Sequence, residues 1–182
     1  MINILITFLF LSLSSSLFAY IPKNFGTVIL GVYRGGILTQ ESEYAYLSDL
    51  GVNTIINLEY FHKEKKEYCE EFNLDCQKHS ILQLPFQNIN TVQFKKAYKS
   101  TVSALIAGKI IYIHCYRGSD RTGALASALI IRERACDKEY DPNLLIEIKR
   151  TLNKYNFSKF LFPQLYFRIL SWVKEPPHWL CD

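Results

Sequence analysis

The sequence lacks an apolar run that would anchor it across a bilayer: the core of its N-terminal segment is about eleven residues, against the roughly 20 that a spanning helix needs. A transmembrane anchor is therefore the weaker reading. No Cys-x-x-Cys motif is present, which argues against a thiol redox protein. No His, Cys and carboxylate spacing suggests zinc ligands, so neither a metal nor a cofactor is expected. There is no internal repeat, low-complexity tract or linker, and 182 residues, 49% of them hydrophobic, suffice for one core and not comfortably for two. The absence with most chemical consequence is internal. From Gln77 through His114 the chain contains neither Asp nor Glu.

The first nineteen residues also lack charge, and they end in Ser14-Ser15-Ser16-Leu17-Phe18-Ala19. An uncharged apolar run closed by small residues reads as a signal peptide, residues 1–19, cleaved after Ala19 or alternatively after Ser16. The remaining 20–182 would be one domain, periplasmic or secreted, with no stable membrane insertion. The net charge of +4 includes Lys63, Lys65, Lys66 and again Lys95, Lys96, Lys99. This biases the surface mildly toward anionic substrates, or it marks solvated helix faces. No nucleic-acid partner is expected. Five cysteines follow the leader, and an odd count in an exported chain asks for one free thiol. If Cys115 is free, Cys69, Cys76, Cys136 and Cys181 can form two bridges in three ways, which the sequence does not decide; four reduced cysteines are the alternative.

Strand and helix patterns alternate. Tyr33-Arg34-Gly35-Gly36 reads as a strand end and turn, Thr39 as the cap of a helix through Asp49 that Gly51 stops, and Val52–Leu58 as a buried strand. A charged helix over 63–72 and a short strand over 80–84, stopped by Pro85, follow. Apolar residues mostly three or four apart predict a helix over 91–107. An apolar strand over 109–114 precedes an Ala- and Leu-rich helix over 121–134. Asp141-Pro142 fits a cap and first helical position of another helix, and 162–173 form the last, closed by Pro176 and Pro177. The pattern predicts an α/β fold with a mainly parallel central sheet flanked by helices.

Chemistry concentrates in His114-Cys115-Tyr116-Arg117-Gly118-Ser119-Asp120-Arg121-Thr122-Gly123, a strand–loop–helix junction. The N–H groups of a short loop entering a helix converge on a common centre and, with the helix dipole, hold an anion. A thiol in that field should ionise well below its free value of about 8.5. Cys115 is thus the candidate nucleophile, and Arg121 the candidate fork for two phosphoryl oxygens. Tyr116, Arg117, Gly118, Ser119, Thr122 and Gly123 would line the anion site, the glycines permitting the tight turn and close helix packing. Thr122 or Ser119 could donate to the departing sulfur. His114 would order the loop, or is merely a satisfied buried histidine.

These residues resemble the signature of the protein-tyrosine and dual-specificity phosphatase superfamily: His-Cys, five residues, Arg, then Ser or Thr and Gly. Tyr33–Gly36 and Tyr46–Leu58 are similar to the opening of small bacterial dual-specificity-like phosphatases, so the resemblance covers Val32 to Arg134. It implies a dual-specificity-phosphatase-like fold and hydrolysis of phosphomonoesters through a phosphocysteine, without metal. The family's general-acid Asp normally comes from a loop upstream of the nucleophile, where this chain has Pro85-Phe86-Gln87-Asn88. Amides position water but donate no proton to a leaving group. Similar phosphatases reading Asp-Arg-Thr-Gly, phosphoinositide-acting myotubularins among them, imply Asp120 as the substitute, with a loop brace as its other reading. Glu59 and Asp141 are more distant options, capping being the better account of Asp141. The resemblance implies phosphotyrosine protein as the default substrate. Inositol polyphosphate or phosphoinositide is the runner-up, on the grounds of Arg117, Asp120 and the basic charge. The missing upstream acid also admits a phosphate-binding pseudophosphatase, against which the intact Cys115 and Arg121 argue.

Overall fold

The computed structural model describes residues 20–136 and 141–182. The expected signal peptide lies outside the described residues. The chain opens with β1 (Gly26–Ile29) and β2 (Val32–Gly35), then α1 (Glu41–Asp49), β3 (Thr54–Asn57), α2 (Lys66–Glu71) and β4 (Asp75–Lys78). It continues through α3 (Thr91–Ile106), β5 (Ile111–His114), α4 (Asp120–Ala135), α5 (Pro142–Lys154), α6 (Pro163–Lys174) and the short α7 (His178–Cys181). The sheet order is β1-β2-β5-β3-β4, with β1 antiparallel to β2 and every other pair parallel. This is the expected α/β architecture.

Both faces of the sheet are covered, as a parallel sheet requires. The period-2 alternation of β3 and β5 feeds two cores: Ile56, Ile111 and Ile113 pack with α3 to α7, while Ile55 and Tyr112 pack with α1 and α2. Because β2, β5 and β3 run parallel, the segments that follow them emerge at one edge of the sheet. That edge carries the site, as open parallel sheets generally arrange it.

Three expectations are corrected. The segment 80–84 forms no strand; the edge strand is β4, a few residues upstream, and its Asp-Cys-Gln-Lys sequence has no apolar run because an edge strand is only half covered. Thr39 does not cap α1. The Glu43 carboxylate, from inside the first turn, instead accepts from Thr39 N–H at 2.6 Å and Gln40 N–H at 2.9 Å. The helix expected from Lys63 starts only at Lys66, since Glu64 is drawn into a buried bond with His114. The Asp141 cap is present, its side chain accepting from Asn143 N–H at 2.9 Å.

Cys69 is bonded to Cys76, fastening α2 to β4, and Cys136 to Cys181, fastening the end of α4 to α7. Cys115 is the free thiol. Among the described residues no helix is long and apolar enough to cross a membrane, and no group of His, Cys, Asp and Glu could hold a metal.

Candidate active site

Cys115 follows β5 directly, and Asp120 and Arg121 open α4, so the intervening loop spans a strand end and a helix N-terminus. Its carbonyls turn outward. The Tyr116 carbonyl accepts from Ile37 N–H at 3.3 Å, that of Arg117 from the Asn24 amide at 2.8 Å, and that of Gly118 from the Arg34 guanidinium. In a trans peptide the N–H lies opposite the carbonyl, so the N–H groups of Arg117, Gly118 and Ser119 face the loop interior. Gly118 is indispensable to this shape: its φ is +71°, and a Cβ there would stand 2.4 Å from the backbone of Gly35. Gly123 lets α4 approach Phe157 and Leu152.

Arg34 is wholly buried behind the loop, with Tyr155 stacked 3.9 Å from its guanidinium carbon. Burial lowers its pKa to about 10, with Tyr155, Cys115 and Tyr112 opposing, so it is a cation at neutral pH. It adds a fixed positive charge behind the anion site. The sequence marked Tyr33–Gly36 as a family-like strand end but gave Arg34 itself no role.

Arg121 is set by three acceptors. Glu59 Oε2 takes Nη2 at 2.5 Å, and the carbonyls of Leu58 and Ile81 take Nη1 at 3.3 and 3.0 Å. The same Glu59 oxygen accepts Tyr116 N–H at 3.1 Å. Burial pushes the Glu59 carboxyl up, but Arg121 and the N–H groups of Phe61 and Tyr60 outweigh it, and the net displacement is downward. Glu59 is therefore an anion that orients the arginine and the loop. That direction runs against a proton-donor role for Glu59, and Asp141, tied to Arg134 and the start of α5, does not line the cavity.

Asp120 lines a cavity of about 200 Å³ together with Cys115, Arg121, Tyr116, Arg117 and Gln83, closed on one side by Leu161 and Phe162. Its Oδ1 accepts Ser158 N–H at 2.7 Å. Burial raises its pKa, against the opposing pull of the Ser158 N–H, Arg121 and Arg117. A carboxyl whose pKa burial raises, beside the candidate nucleophile, fits the expectation of Asp120 as the candidate general acid. Gln83 was not singled out by sequence; its Nε2 is buried without a protein partner at the cavity. Gln87 and Asn88, the amides expected to hold water, do not line it.

Of the residues expected to line the anion site, Tyr116 and Arg117 do, whereas Gly118, Ser119, Thr122 and Gly123 are not among the cavity-lining residues. The Ser119 hydroxyl lies 3.2 Å from the Asn24 amide, which donates to it. The Thr122 hydroxyl is buried without a partner. His114 Nε2 bonds Glu64 Oε1 at 2.6 Å, and Glu64 also accepts from Asn57 at 2.8 Å. The histidine thus ties β5 to the segment after β3 rather than to the loop itself. Of the lysine clusters, Lys95 on α3 lies over the Trp179 ring of α7 and does not line the cavity.

A family model described as "Polymorphic toxin system, DSP-PTPase phosphatase" matches residues 30–135. No curated protein matches the chain in sequence. Among solved structures, it is similar to the core catalytic domain of the PP-IP phosphatase Siw14 from S. cerevisiae (TM-score 0.61, 20% identity, 86% of this chain and 87% of that one). A putative phosphatase from Shewanella putrefaciens CN-32 is similar at TM-score 0.59 and 16% identity over 84% and 92% of the two chains. So is PTPMT1 in complex with PI(5)P, at TM-score 0.59 and 12% identity over 82% and 96%.

Proposed function

The chain belongs to the DSP-PTPase phosphatase family of polymorphic toxin systems, and on that premise we propose that this phosphatase hydrolyses phosphomonoesters through a phosphocysteine on Cys115. The observation that carries the proposal is the meeting of Cys115, Asp120 and Arg121 in one cavity, with Asp120 held toward its protonated form by burial. Arg121, oriented by Glu59, and the inward N–H groups bind the phosphoryl oxygens. Cys115 attacks phosphorus as a thiolate; the P–S bond forms as the ester P–O bond breaks, and the leaving oxygen takes the proton of Asp120. The resulting carboxylate then deprotonates a water, positioned by Gln83, that attacks the phosphocysteine. Inorganic phosphate leaves, and the thiolate and the protonated acid are restored.

Peptide mass spectrometry of protein quenched during turnover should find phosphate on Cys115, and Cys115→Ser should release none. Release by Cys115→Ser at a rate near that of the unaltered protein would refute the mechanism. Convergence of nucleophile, acid and arginine speaks against the pseudophosphatase reading.

For the substrate, a phosphorylated inositol ring is favoured over phosphotyrosine protein by two features. Arg117 is exposed at the cavity mouth, a second cation for a second phosphate. A buried acid is needed most for the poor alkoxide leaving group of an inositol phosphate. The proposal includes export to the periplasm or beyond, supported by the two disulfides, which persist in oxidising compartments. Protein recovered from the producing cell should begin at or near Tyr20, or at Leu17; an intact Met1 on cytosolic protein would overturn export.

A further inference from the structure

Seven aromatic side chains are exposed among the described residues, and five of them, Tyr60, Phe61, Phe86, Tyr116 and Phe160, lie on connections that also carry a cavity-lining residue or Glu59, the partner of Arg121; Tyr20 and Phe167 are the others. Tyr116 lines the cavity, Phe160 adjoins Leu161 of its wall, and Tyr60 and Phe61 follow Glu59, the partner of Arg121. They come from four separate connections: 58–65, 79–90, 115–119 and 155–162.

Phe86 is held there against its own backbone preference. Its φ is +61°, a region costly for a bulky residue. It is fixed by its N–H on the Leu161 carbonyl at 2.7 Å, by the Gln164 amide donating to its carbonyl at 3.1 Å, and by the Phe160 ring edge-on at 5.7 Å. Strain maintained to keep an apolar ring in solvent marks a surface built for contact.

Charge decides what it contacts. On the same four connections the exposed charged side chains are Lys63, Lys65, Arg117 and Lys159, with no exposed carboxylate among them; Glu59 is buried against Arg121, and the Glu64 side chain is buried against His114. Aromatic rings interleaved with cations, on several loops rather than along one groove, complement an anionic bilayer, where rings settle at the headgroup level and Lys and Arg meet anionic lipid.

From this juxtaposition we infer that the catalytic face docks reversibly on anionic membrane surfaces. Docking is peripheral and needs no spanning segment. It rests on the phosphatase reading only for its payload, a phosphate ester carried by lipid and delivered to the cavity mouth.

The test is co-sedimentation of the full chain with phosphatidylcholine vesicles, with and without phosphatidylserine. Binding should require phosphatidylserine and weaken steeply with added salt. Phe61→Ala with Phe160→Ala should lower the partition coefficient at least about tenfold, since each ring loses its buried apolar area. Lys63→Glu with Lys159→Glu should lower it comparably. The first nineteen residues are common to all variants, so differences among variants read the loops alone. Release of phosphate from a soluble ester should be unchanged in the Phe61/Phe160 variant, because neither ring lines the cavity. Vesicle binding that is indifferent to phosphatidylserine, or that survives in both double variants, overturns the inference. So does a loss confined to turnover of phosphotyrosine peptides, which would assign the face to protein substrates. If the unaltered protein releases no phosphate from any soluble ester, the phosphatase mechanism fails, and the vesicle result stands or falls separately.

Discussion

Replacing Asp120 by Asn separates the two roles that its position allows. The Oδ1 that accepts Ser158 N–H at 2.7 Å has its counterpart in Asn, so the brace between α4 and the segment before α6 persists while the proton is lost. A general acid contributes about 10²–10⁴-fold, and most where the leaving oxygen is poor. Asp120→Asn should therefore slow an inositol phosphate by that factor and p-nitrophenyl phosphate, whose leaving group needs little help, far less. Stability should move the other way. Burial holds the folded pKa of Asp120 above its unfolded value, so its favourable contribution is present at low pH and lost as pH rises through the folded value. Each unit of that displacement corresponds to about 1.4 kcal/mol. Asn never ionises, so the variant should melt higher than the parent at neutral pH, and the gain should vanish in acid. In kcat for the alkyl ester, the decline at rising pH should disappear with the carboxyl. The assays are phosphate release from both esters across pH and thermal unfolding at pH 4 and 7. Equal losses on the two esters, with no stability gain at neutral pH, would show that Asp120 only braces the loop.

Glu59→Gln strips Arg121 of its buried anion, and breaking such a pair costs about 3–5 kcal/mol. The depressed Glu59 pKa means this stability is present above the ordinary carboxylate range and lost as pH falls through the folded value, so melting curves of parent and variant should converge in acid. A constant gap at all pH values would contradict the pairing. Gly118→Ala should abolish activity, because φ +71° and the 2.4 Å approach to Gly35 force the loop to move; retained kcat/KM would refute the geometry. Loss of the Cys136–Cys181 bridge, separated by 45 residues, should cost about 4 kcal/mol in denaturant unfolding, against roughly 2 for Cys69–Cys76 with a separation of 7. The reverse order would show that the bridges act through native packing instead.

What was legible in the sequence follows its periodicity. The helix at 91–106 and the strand at 111–114 bury long apolar faces and were placed to within a few residues. The edge strand at 75–78 and the hairpin strand at 26–29 are mostly half-covered, so their residues carry no apolar run, and the extended 80–84 looked more strand-like than either. Its Ile81 is wholly buried yet pairs with no strand; the residue gives its carbonyl to Arg121 and its N–H to Leu58. The site divides the same way. Cys115, Asp120 and Arg121 lie within seven residues, so spacing alone exposed them. Arg34 and Glu59 bond that loop and Gln83 lines its cavity from three other segments, and only the parallel order of β2, β5, β3 and β4 brings these to one edge. No local pattern marks a residue whose partner is 62 positions away.

On the proposed mechanism, a proton donor on α4 rather than on a separate loop has a structural consequence beyond the donor itself. An acid on a separate loop must be carried to the leaving oxygen when that loop closes, and loop closure can then limit turnover. Asp120 stands in the first turn of α4, one residue from Arg121 and bonded to Ser158, so acid and phosphate fork share one rigid element. On that mechanism the 85–88 turn takes no part in proton transfer. In its place the turn carries an exposed phenylalanine in a strained backbone, pinned to Leu161 and Gln164. Rigidity at the proposed acid and an exposed apolar tip on the 85–88 turn are then two features of one arrangement. A turn that no longer supplies a proton can be shaped entirely by what the catalytic face must touch.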